Sequence, residues 1–293
     1  MSVIMNTKEI LRIILPGFVI DILKSLKKII IQSAFNFKDC VDLLSGRREP
    51  LIPPERLIFI GSGDFKSVGD EFLKYFIKFG GLKKSDKVLD IGCGIGRMAR
   101  PLVTFLDSNN GGKYYGFDIV SGGIDWCKIN YKQYNNFHFE LADIYNKHYN
   151  PIGKYKPSEF KFNFENNSFD FIFATSVFTH MLLQDVERYV SEISRVLKTN
   201  GNCFITFFIL NNESKQLISS GFSSLNFKNI DINCWTVNES VPEDAIGYEE
   251  EIIKSLLNNN GLSIIEPIYY GYWCGREKKS GYQDIIVAKK DLK

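Results

Sequence analysis

The sequence has 293 residues, of which 44% are hydrophobic and 24% are charged. This ordinary globular composition suits one α/β domain with insertions. The formal net charge of +2, from 36 basic and 34 acidic residues, gives no electrostatic footprint for nucleic acid, so no nucleic-acid partner is expected. Six widely spaced cysteines and three scattered histidines predict free thiols in a reducing, cytoplasmic setting and no metal site.

Residues 1–55 are predicted to form an N-terminal helical extension and linker, and residues 56–293 the main domain. Apolar side chains recur at helical spacing in the extension, and its lysines lie largely off that face. The helix either packs on the main domain or makes a peripheral contact with an anionic membrane. Its apolar run is too short and too interrupted to span a bilayer. The apolar face consists of Phe18, Ile22, Leu26 and Ile29.

From about residue 66 the sequence alternates short apolar runs with amphipathic segments. This alternation is typical of a mostly parallel sheet with helices on both faces. The connection between the last two runs, Glu266 to Gln283, has no helical pattern, which favours an antiparallel final strand. The predicted strands are 87–91, 113–117, 137–141, 169–174, 203–208, 264–265 and 285–288.

Two insertions interrupt the alternation, at residues 144–167 and 210–247. Long connections inside compact domains are usually functional. The second insertion is therefore predicted to be a lid over an acceptor site. Phe222 and Trp235 are the side chains expected to close it.

The central motif is a strand that runs into a glycine-rich loop, Val88-Leu89-Asp90-Ile91-Gly92-Cys93-Gly94-Ile95-Gly96. Alternate glycines let the backbone turn sharply and approach a ligand closely. The N–H groups at the start of the following helix then point at that ligand. The third glycine comes one residue earlier than in the G-x-G-x-x-G loop of dinucleotide-binding folds. Pro101 requires the helix to start late or to bend.

Acidic residues stand at the ends of three successive predicted strands. Asp90 would repel a pyrophosphate but suits an amino group on the ligand. Asp118 can accept hydrogen bonds from both hydroxyls of a ribose. Asp143 lies where it can accept from the amino group of an adenine. Together these acids predict a nucleoside ligand that has no phosphate and carries a positive amino group.

Five motifs follow one another in order: VLDIGCGIG at 88–96, GFD at 116–118, LAD at 141–143, FDFIFATSVFTHM at 169–181 and RVLKTNGN at 195–202. In these motifs the sequence resembles the class I, Rossmann-like S-adenosylmethionine-dependent methyltransferases of the small-molecule type. The turn Thr-Asn-Gly replaces the family's Pro-Gly-Gly, a mild departure. The resemblance covers about residues 60–290. It implies S-adenosylmethionine as the cofactor and a three-layer α/β/α sandwich with a seven-stranded, mostly parallel sheet whose last strand is antiparallel.

The resemblance assigns the glycine loop to the methionine end of the cofactor. Asp90 would face the methionine amino group, directly or through water. Gly92, Cys93 and Gly94 would pass beneath the methionine portion, and Gly96 completes the loop.

The later motifs would surround the rest of the cofactor. Asp118 would hold the ribose, and Ile119 would contact the adenine. Asp143 would accept from the adenine amino group, while Ile144 offers its backbone N–H. The loop after the fourth strand would line the cofactor near the sulfonium with Thr175 and Ser176.

His180 is the candidate catalytic residue, as a general base. It follows the fourth predicted strand, on the side where a parallel sheet binds ligands, and an imidazole can take a proton near neutral pH. A structural or cofactor-side role is the alternative. Asp64 precedes a predicted helix, where capping is the favoured interpretation.

An aromatic run with an arginine stands between the last two predicted strands. Such a group in a loop suggests a substrate wall, and a packed hairpin with a solvated arginine is the alternative. The candidate substrate residues are Tyr272, Trp273 and Arg276, together with Trp235 of the predicted lid.

The function predicted from the sequence is methyl transfer to oxygen or nitrogen of a small-molecule acceptor, such as a sugar, a lipid or another metabolite. An NAD(P)-dependent oxidoreductase on a Rossmann sheet and a non-catalytic nucleoside-binding protein are the alternatives. The early third glycine and Asp90 argue against the first, and the intact acids and glycines against the second. The sequence does not indicate an oligomeric state.

Overall fold

A computed structural model of the chain describes residues 17–61, 63–147, 149–231, 233–277 and 280–292. The chain divides into two compact units, Met1–Pro54 and Glu55–Lys293.

In the first unit, the helix α1 spans Gly17–Leu44. Several of its apolar side chains are exposed to solvent, among them Ile22 (53%), Leu26 (48%) and Ile30 (67%). The side chains of Phe18 and Ile29, which complete the predicted apolar face, lie outside the described part of the chain. Among the described helices, none combines the length and the apolar character that crossing a membrane requires.

The second unit is built on a seven-stranded sheet with the strand order β10-β11-β5-β4-β1-β2-β3. Its strands are parallel except β11, which is antiparallel to both of its neighbours. The seven-stranded, mostly parallel sheet with an antiparallel last strand is therefore confirmed. The strands are β1 Lys87–Ile91, β2 Lys113–Asp118, β3 Phe137–Leu141, β4 Phe169–Ala174, β5 Leu197–Phe207, β10 Leu262–Ile264 and β11 Asp284–Lys290.

Helices cover both faces of this sheet. On one face Phe76 stacks on Phe173, with ring centroids 4.4 Å apart, and meets Phe204 edge to face at 4.9 Å. On the other face Ile172 belongs to one hydrophobic cluster of buried residues together with Val190, a helical residue. Burial of each such side chain contributes about 1.5–3 kcal/mol. The helices are α2 Phe65–Lys78, α3 Ala99–Phe105, α4 Ser121–Asn130, α5 Leu183–Val196, α6 Asn212–Ser219 and α7 Glu250–Asn259.

The strand β5 begins earlier than the sequence predicts. It starts at Leu197, directly after α5, whereas the prediction places a turn up to Asn202. The pairing with β4 jumps from Phe169–Leu197 to Phe171–Asn202, so the intervening residues bulge out. Asn200 takes a positive φ of 64° there, which asparagine tolerates better than most residues.

The insertion at residues 210–247 is a folded layer and not only a loop. It holds α6 and contributes to a second sheet with the order β6-β9-β8-β7. This sheet encloses its own apolar cluster, which includes Phe208 and Phe227. The strands are β6 Ile209–Leu210, β7 Lys228–Asp231, β8 Cys234–Thr236 and β9 Ile246–Glu249.

Candidate functional site

The glycine loop lies at the carboxyl end of β1, between β2 and β4 in the sheet. Gly92 has a φ of 75°, a conformation that favours glycine. A Cβ atom added to Gly92 would lie 2.5 Å from Cγ2 of Val177, so a larger residue cannot occupy the position. The helix α3 starts only at Ala99, with Pro101 in its first turn, as the late start predicted from the proline requires.

Asp118 is bound directly to the glycine loop. Its Oδ2 accepts from the N–H of Gly94 at 2.7 Å, and its Oδ1 accepts from the N–H of Val120 at 2.8 Å. Burial raises the pKa of this carboxyl group, while the backbone hydrogen bonds lower it. A carboxylate has about four lone-pair sites, so the backbone N–H groups of Gly94, Val120 and Ile119 do not exhaust its capacity to accept hydrogen bonds. Ile119, the next residue, is half-buried.

Asp90 lies beneath the loop and is only 1% exposed. Its Oδ2 accepts from the hydroxyl of Tyr114 at 2.7 Å, and its Oδ1 has no hydrogen-bond partner among the described residues. Burial raises the pKa of Asp90 to about 8. A buried acceptor without a partner is costly, and a ligand N–H or a water would satisfy it.

Tyr114 is a site residue that the sequence analysis missed. It faces the same side of the sheet as Asp90, two positions before Gly116 on β2. A Cβ added to Gly116 would lie 2.7 Å from the hydroxyl oxygen of Tyr114. The sequence signal that could have identified Tyr114 is therefore its position two residues before a glycine on β2, the strand that pairs with β1.

Asp143 and Ile144 stand where the insertion at residues 144–167 leaves β3. Asp143 is exposed, and its Oδ1 accepts from the N–H of Lys154 at 3.1 Å. The N–H of Ile144, expected to be free for adenine, instead donates to the carbonyl of Ala142 at 2.9 Å. The side chain of Ile144 is buried.

The loop after β4 forms a polar cluster with two distant residues. Ser176, at a positive φ of 57°, donates its N–H to Oγ1 of Thr206 at 2.8 Å. Oε1 of Gln283 accepts from the hydroxyls of both Ser176 (3.0 Å) and Thr206 (2.7 Å). None of the described residues accepts from Nε2 of Gln283, so this amide remains a donor. Thr175, beside the cluster, is half-buried.

His180 is held by the insertion that carries the second sheet. Its Nδ1 lies 2.9 Å from the backbone carbonyl of Glu243. A carbonyl only accepts, so Nδ1 carries the hydrogen and Nε2 of the neutral ring is an acceptor. Tyr248 of β9 donates its hydroxyl to the carbonyl of Met181, which ties the same loop to the insertion a second time.

Trp273 belongs to the core, which corrects its prediction as a substrate wall. It is fully buried, and its ring lies 5.3 Å from those of both Phe208 and Phe227. Its Nε1 donates to Oδ2 of Asp284 at 2.7 Å. A side chain enclosed in this way cannot contact a substrate.

Arg276 is likewise neither solvated nor free to bind a substrate. Its side chain is 7% exposed and pairs with the fully buried Asp284 at 3.1 Å and with Glu213 at 2.7 Å. It also donates to Oδ1 of Asn211. Arg276 therefore joins the last connection of the chain to α6 and β11.

The other two substrate candidates stay predictions. Trp235 is half-buried in β8, and its Nε1 donates to Oε1 of Glu249 at 2.9 Å. Tyr272 is half-buried, with its ring 5.3 Å from that of Tyr282. Within the described part of the chain, no cluster of three or more metal-ligating side chains was found.

Comparisons with known proteins identify the family of this chain. A family model described as a methyltransferase domain matches residues 82–261, more than half of the chain. Phosphoethanolamine N-methyltransferase 2 of Caenorhabditis elegans is 28% identical over 152 residues, 51% of this chain and 29% of that protein. A sterol 24-C-methyltransferase of Candida albicans is 31% identical over 192 residues, 62% of this chain and 41% of that protein. The chain thus spans less than half the length of these relatives.

A solved structure supports the fold. The PH0226 protein of Pyrococcus horikoshii OT3 superposes with a TM-score of 0.52 at 16% identity, over 80% of this chain and 95% of that one. The residues present also fit the cofactor of the family, because the unpaired oxygen of Asp90 and the carboxylate of Asp118 flank the glycine loop. The chain belongs to the S-adenosylmethionine-dependent methyltransferases with a Rossmann-like fold.

Proposed function

We propose that this chain transfers a methyl group from S-adenosylmethionine to oxygen or nitrogen of a small-molecule acceptor, such as a sugar, a lipid or another metabolite. The observation that carries the proposal is the hydrogen bond that Asp118 accepts from the N–H of Gly94, together with Oδ1 of Asp90, which has no hydrogen-bond partner among the described residues. This arrangement offers carboxylate oxygens to ribose hydroxyls and to an ammonium group, whereas a carboxylate at this place would repel a phosphate.

The predicted cofactor residues at the ends of the first three strands have roles in the proposal that their positions support. The carboxylate of Asp118 accepts from the ribose hydroxyls, and Asp90 receives the amino group, directly or through water. Asp143 is exposed and so can accept from an adenine amino group. The engaged N–H of Ile144 leaves its buried side chain as the adenine contact, together with Ile119.

In this proposal, a residue of the loop after β4 removes the proton of the acceptor. The cofactor brings a methyl group that is already activated on a sulfonium, so positioning the acceptor supplies much of the catalysis. His180 keeps Nε2 free to take the proton of the acceptor, because the carbonyl of Glu243 fixes the hydrogen on Nδ1. This orientation supports His180 as the general base.

The polar cluster favours an oxygen or nitrogen acceptor. Ser176 uses its hydroxyl hydrogen on Gln283, so its oxygen can accept from an N–H or O–H group of the acceptor. Nε2 of Gln283 can donate to a neighbouring oxygen. One relative is named for N-methylation of phosphoethanolamine and another for methylation of a sterol carbon; the hydrogen-bonding groups favour the first kind of chemistry.

Calorimetry tests the cofactor part of the proposal. The purified chain is titrated with S-adenosylmethionine, S-adenosylhomocysteine and NAD, and the titrations are repeated with Asp118→Ala. Loss of the ribose hydrogen bonds is expected to weaken S-adenosylhomocysteine binding by about 100-fold. Asp125→Ala, at an exposed acid of α4, is the control and should bind normally. Binding of NAD instead of either sulfur ligand would refute the proposal.

We further propose that α1 makes a peripheral contact with an anionic membrane. The exposed Ile22, Leu26 and Ile30 are four residues apart and share one helical face, and lysines at 24, 27 and 28 accompany them in the sequence. Replacing all three by serine in the full chain should abolish sedimentation with phosphatidylserine-containing vesicles. Unchanged sedimentation, or equal binding to neutral vesicles, would end the idea.

A further inference from the structure

A short segment before α2 crosses the glycine loop. In this segment, Phe59–Gly61, here called the strap, the side chains of Phe59 and Ile60 are half-buried. A Cβ added to Gly94 would lie 2.8 Å from Cγ2 of Ile60, and one added to Gly123 would lie 3.0 Å from the ring of Phe59. The strap therefore packs on the glycine loop and on the start of α4, the two elements that Asp118 joins.

Arg97 forms hydrogen bonds with the backbone of the strap. It directly follows the glycine loop and is only 7% exposed. Its Nη2 donates to the backbone carbonyls of Ile60 at 3.1 Å and Gly61 at 2.7 Å. Its guanidinium carbon also lies 5.7 Å from the centre of the Phe65 ring. The sequence analysis did not single out this arginine.

The environment of Arg97 is costly for a cation. Its Nε is buried without a hydrogen-bond partner among the described residues, and burial lowers the pKa of the guanidinium. Buried charges are normally paired with an opposite charge. Here the compensation in the described part of the chain comes from two carbonyls of the strap, one aromatic face and, without a direct ion pair, the negative charge of Asp64. A buried charge that lowers the stability of the fold is expected at a place where it contributes to ligand binding.

We propose that Arg97 is a positioning residue for the cofactor. It acts through the strap, which it holds across the glycine loop as an outer wall of the cofactor site. The affinity for the cofactor then depends on Arg97 although other residues make the contacts. This inference rests on the proposed function, because it assigns the wall to the S-adenosylmethionine site.

Calorimetry with S-adenosylhomocysteine compares the full-length wild type with R97M, R97K and R100M. Methionine keeps most of the length of Arg97 but removes both hydrogen bonds, so the Kd is expected to rise at least about tenfold. Lysine can still reach one carbonyl and should restore part of the affinity. Arg100 is the matched control, because it donates to Lys66 and Asp70 of α2 and not to the strap. R100M should bind as the wild type does.

Hydrogen exchange separates loss of the strap from loss of the fold. In R97M the amides of Phe59–Gly61 should exchange faster, while those of β1 and β4 keep wild-type protection. If R97M fails to fold, I60A provides the test, since it shortens the side chain over Gly94 and leaves Arg97 in place. I60A should raise the Kd by a smaller factor in the same direction.

The outcomes distinguish the inference from the function. Wild-type affinity in R97M, or in I60A where R97M does not fold, overturns the role of Arg97 and leaves the proposed function intact. An equal loss of affinity in R100M also overturns it, because the effect would then be general. Absence of S-adenosylhomocysteine binding in the wild type overturns the proposed function and this inference with it.

Discussion

The two halves of the candidate site are assembled from the chain in different ways. The cofactor half comes from one stretch, in which β1, the glycine loop, β2 and β3 follow one another and deliver Asp90, Asp118 and Asp143. The proposed acceptor half brings His180 to the carbonyl of Glu243 and Gln283 to Ser176, a predicted cofactor residue, from segments far apart in sequence. Local order therefore reveals the first half, and only tertiary packing reveals the second.

The aromatic run at Tyr269–Trp273 shows what this difference means. Aromatic residues beside an arginine are common both in substrate walls and in cores, and the sequence does not say where their partner lies. That partner is Asp284, which accepts from Trp273 and Arg276 and from the N–H groups of Ile209 and Gly271. A buried carboxylate with these bonds makes Trp273 and Arg276 part of the core.

The largest expected effect tests this assignment to the core. Asp284→Ala leaves Arg276 and three N–H donors without their buried partner, so we expect the free energy of unfolding to fall by about 4 kcal/mol. Urea denaturation measures it. Glu213→Gln, which breaks the bond from Arg276 to a carboxylate that is 61% exposed, should cost less than about 1 kcal/mol. Equal losses in both variants would contradict a core role for Asp284.

The next effect concerns catalysis in the acceptor half. His180→Gln should lower kcat by about 100-fold with the first acceptor found in a screen, because the group that takes the proton is lost. The Kd for S-adenosylhomocysteine should not change. Thr179→Val is a near-isosteric control at the adjacent, fully buried residue, whose hydroxyl has no partner among the described residues. A drop in cofactor affinity with unchanged kcat would move His180 to the cofactor half.

A pH-dependent effect concerns the cofactor half. The pKa of Asp90 is raised from 3.8 to about 8 by burial, so the folded chain holds a proton that the unfolded chain loses. Stability should therefore fall as the pH rises between these two values, by at most about 1.4 kcal/mol per pH unit. Asp90→Asn cannot ionise and should lack this contribution when urea denaturation is repeated across the range.

The ligand provides the contrast for that experiment. Saturating S-adenosylhomocysteine should reduce the difference between the wild type and Asp90→Asn, because a nearby ammonium group favours the ionised carboxylate. A difference that is the same with and without the ligand would remove Asp90 from contact with the amino group.

The smallest effect concerns Trp235. Trp235→Phe removes the hydrogen bond to Glu249 and should lower the free energy of unfolding by about 1 kcal/mol. If Trp235 is only part of the second sheet, the KM for the acceptor stays the same. A raised KM for the acceptor with an unchanged free energy of unfolding would instead support Trp235 as a residue that contacts the substrate.

The sequence predicts the sheet well because each strand has its own local apolar run. All seven strands lie where runs were found, and Asp64 caps α2 as expected by accepting from the N–H of Ser67. The glycine loop and Asp118 are predicted for the same reason, because their spacing along the chain places them at the ends of two neighbouring strands.

The rest of the site depends on contacts between distant segments. Gln283 meets Ser176 only because β11 runs antiparallel beside β5. The insertion at residues 210–247 was expected to be a lid, and its sheet forms through pairing of β6 with β9 across the insertion. No local sequence pattern predicts the contact of Gln283 with Ser176 or the pairing of β6 with β9.

The bond that orients His180 ends on the backbone of Glu243 and not on its side chain. Every amino acid brings the same carbonyl, so this hydrogen bond does not depend on the side chain at position 243. In the proposed function, the sequence of the insertion predicted to cover the acceptor can therefore change while the nitrogen proposed to accept the proton keeps its orientation.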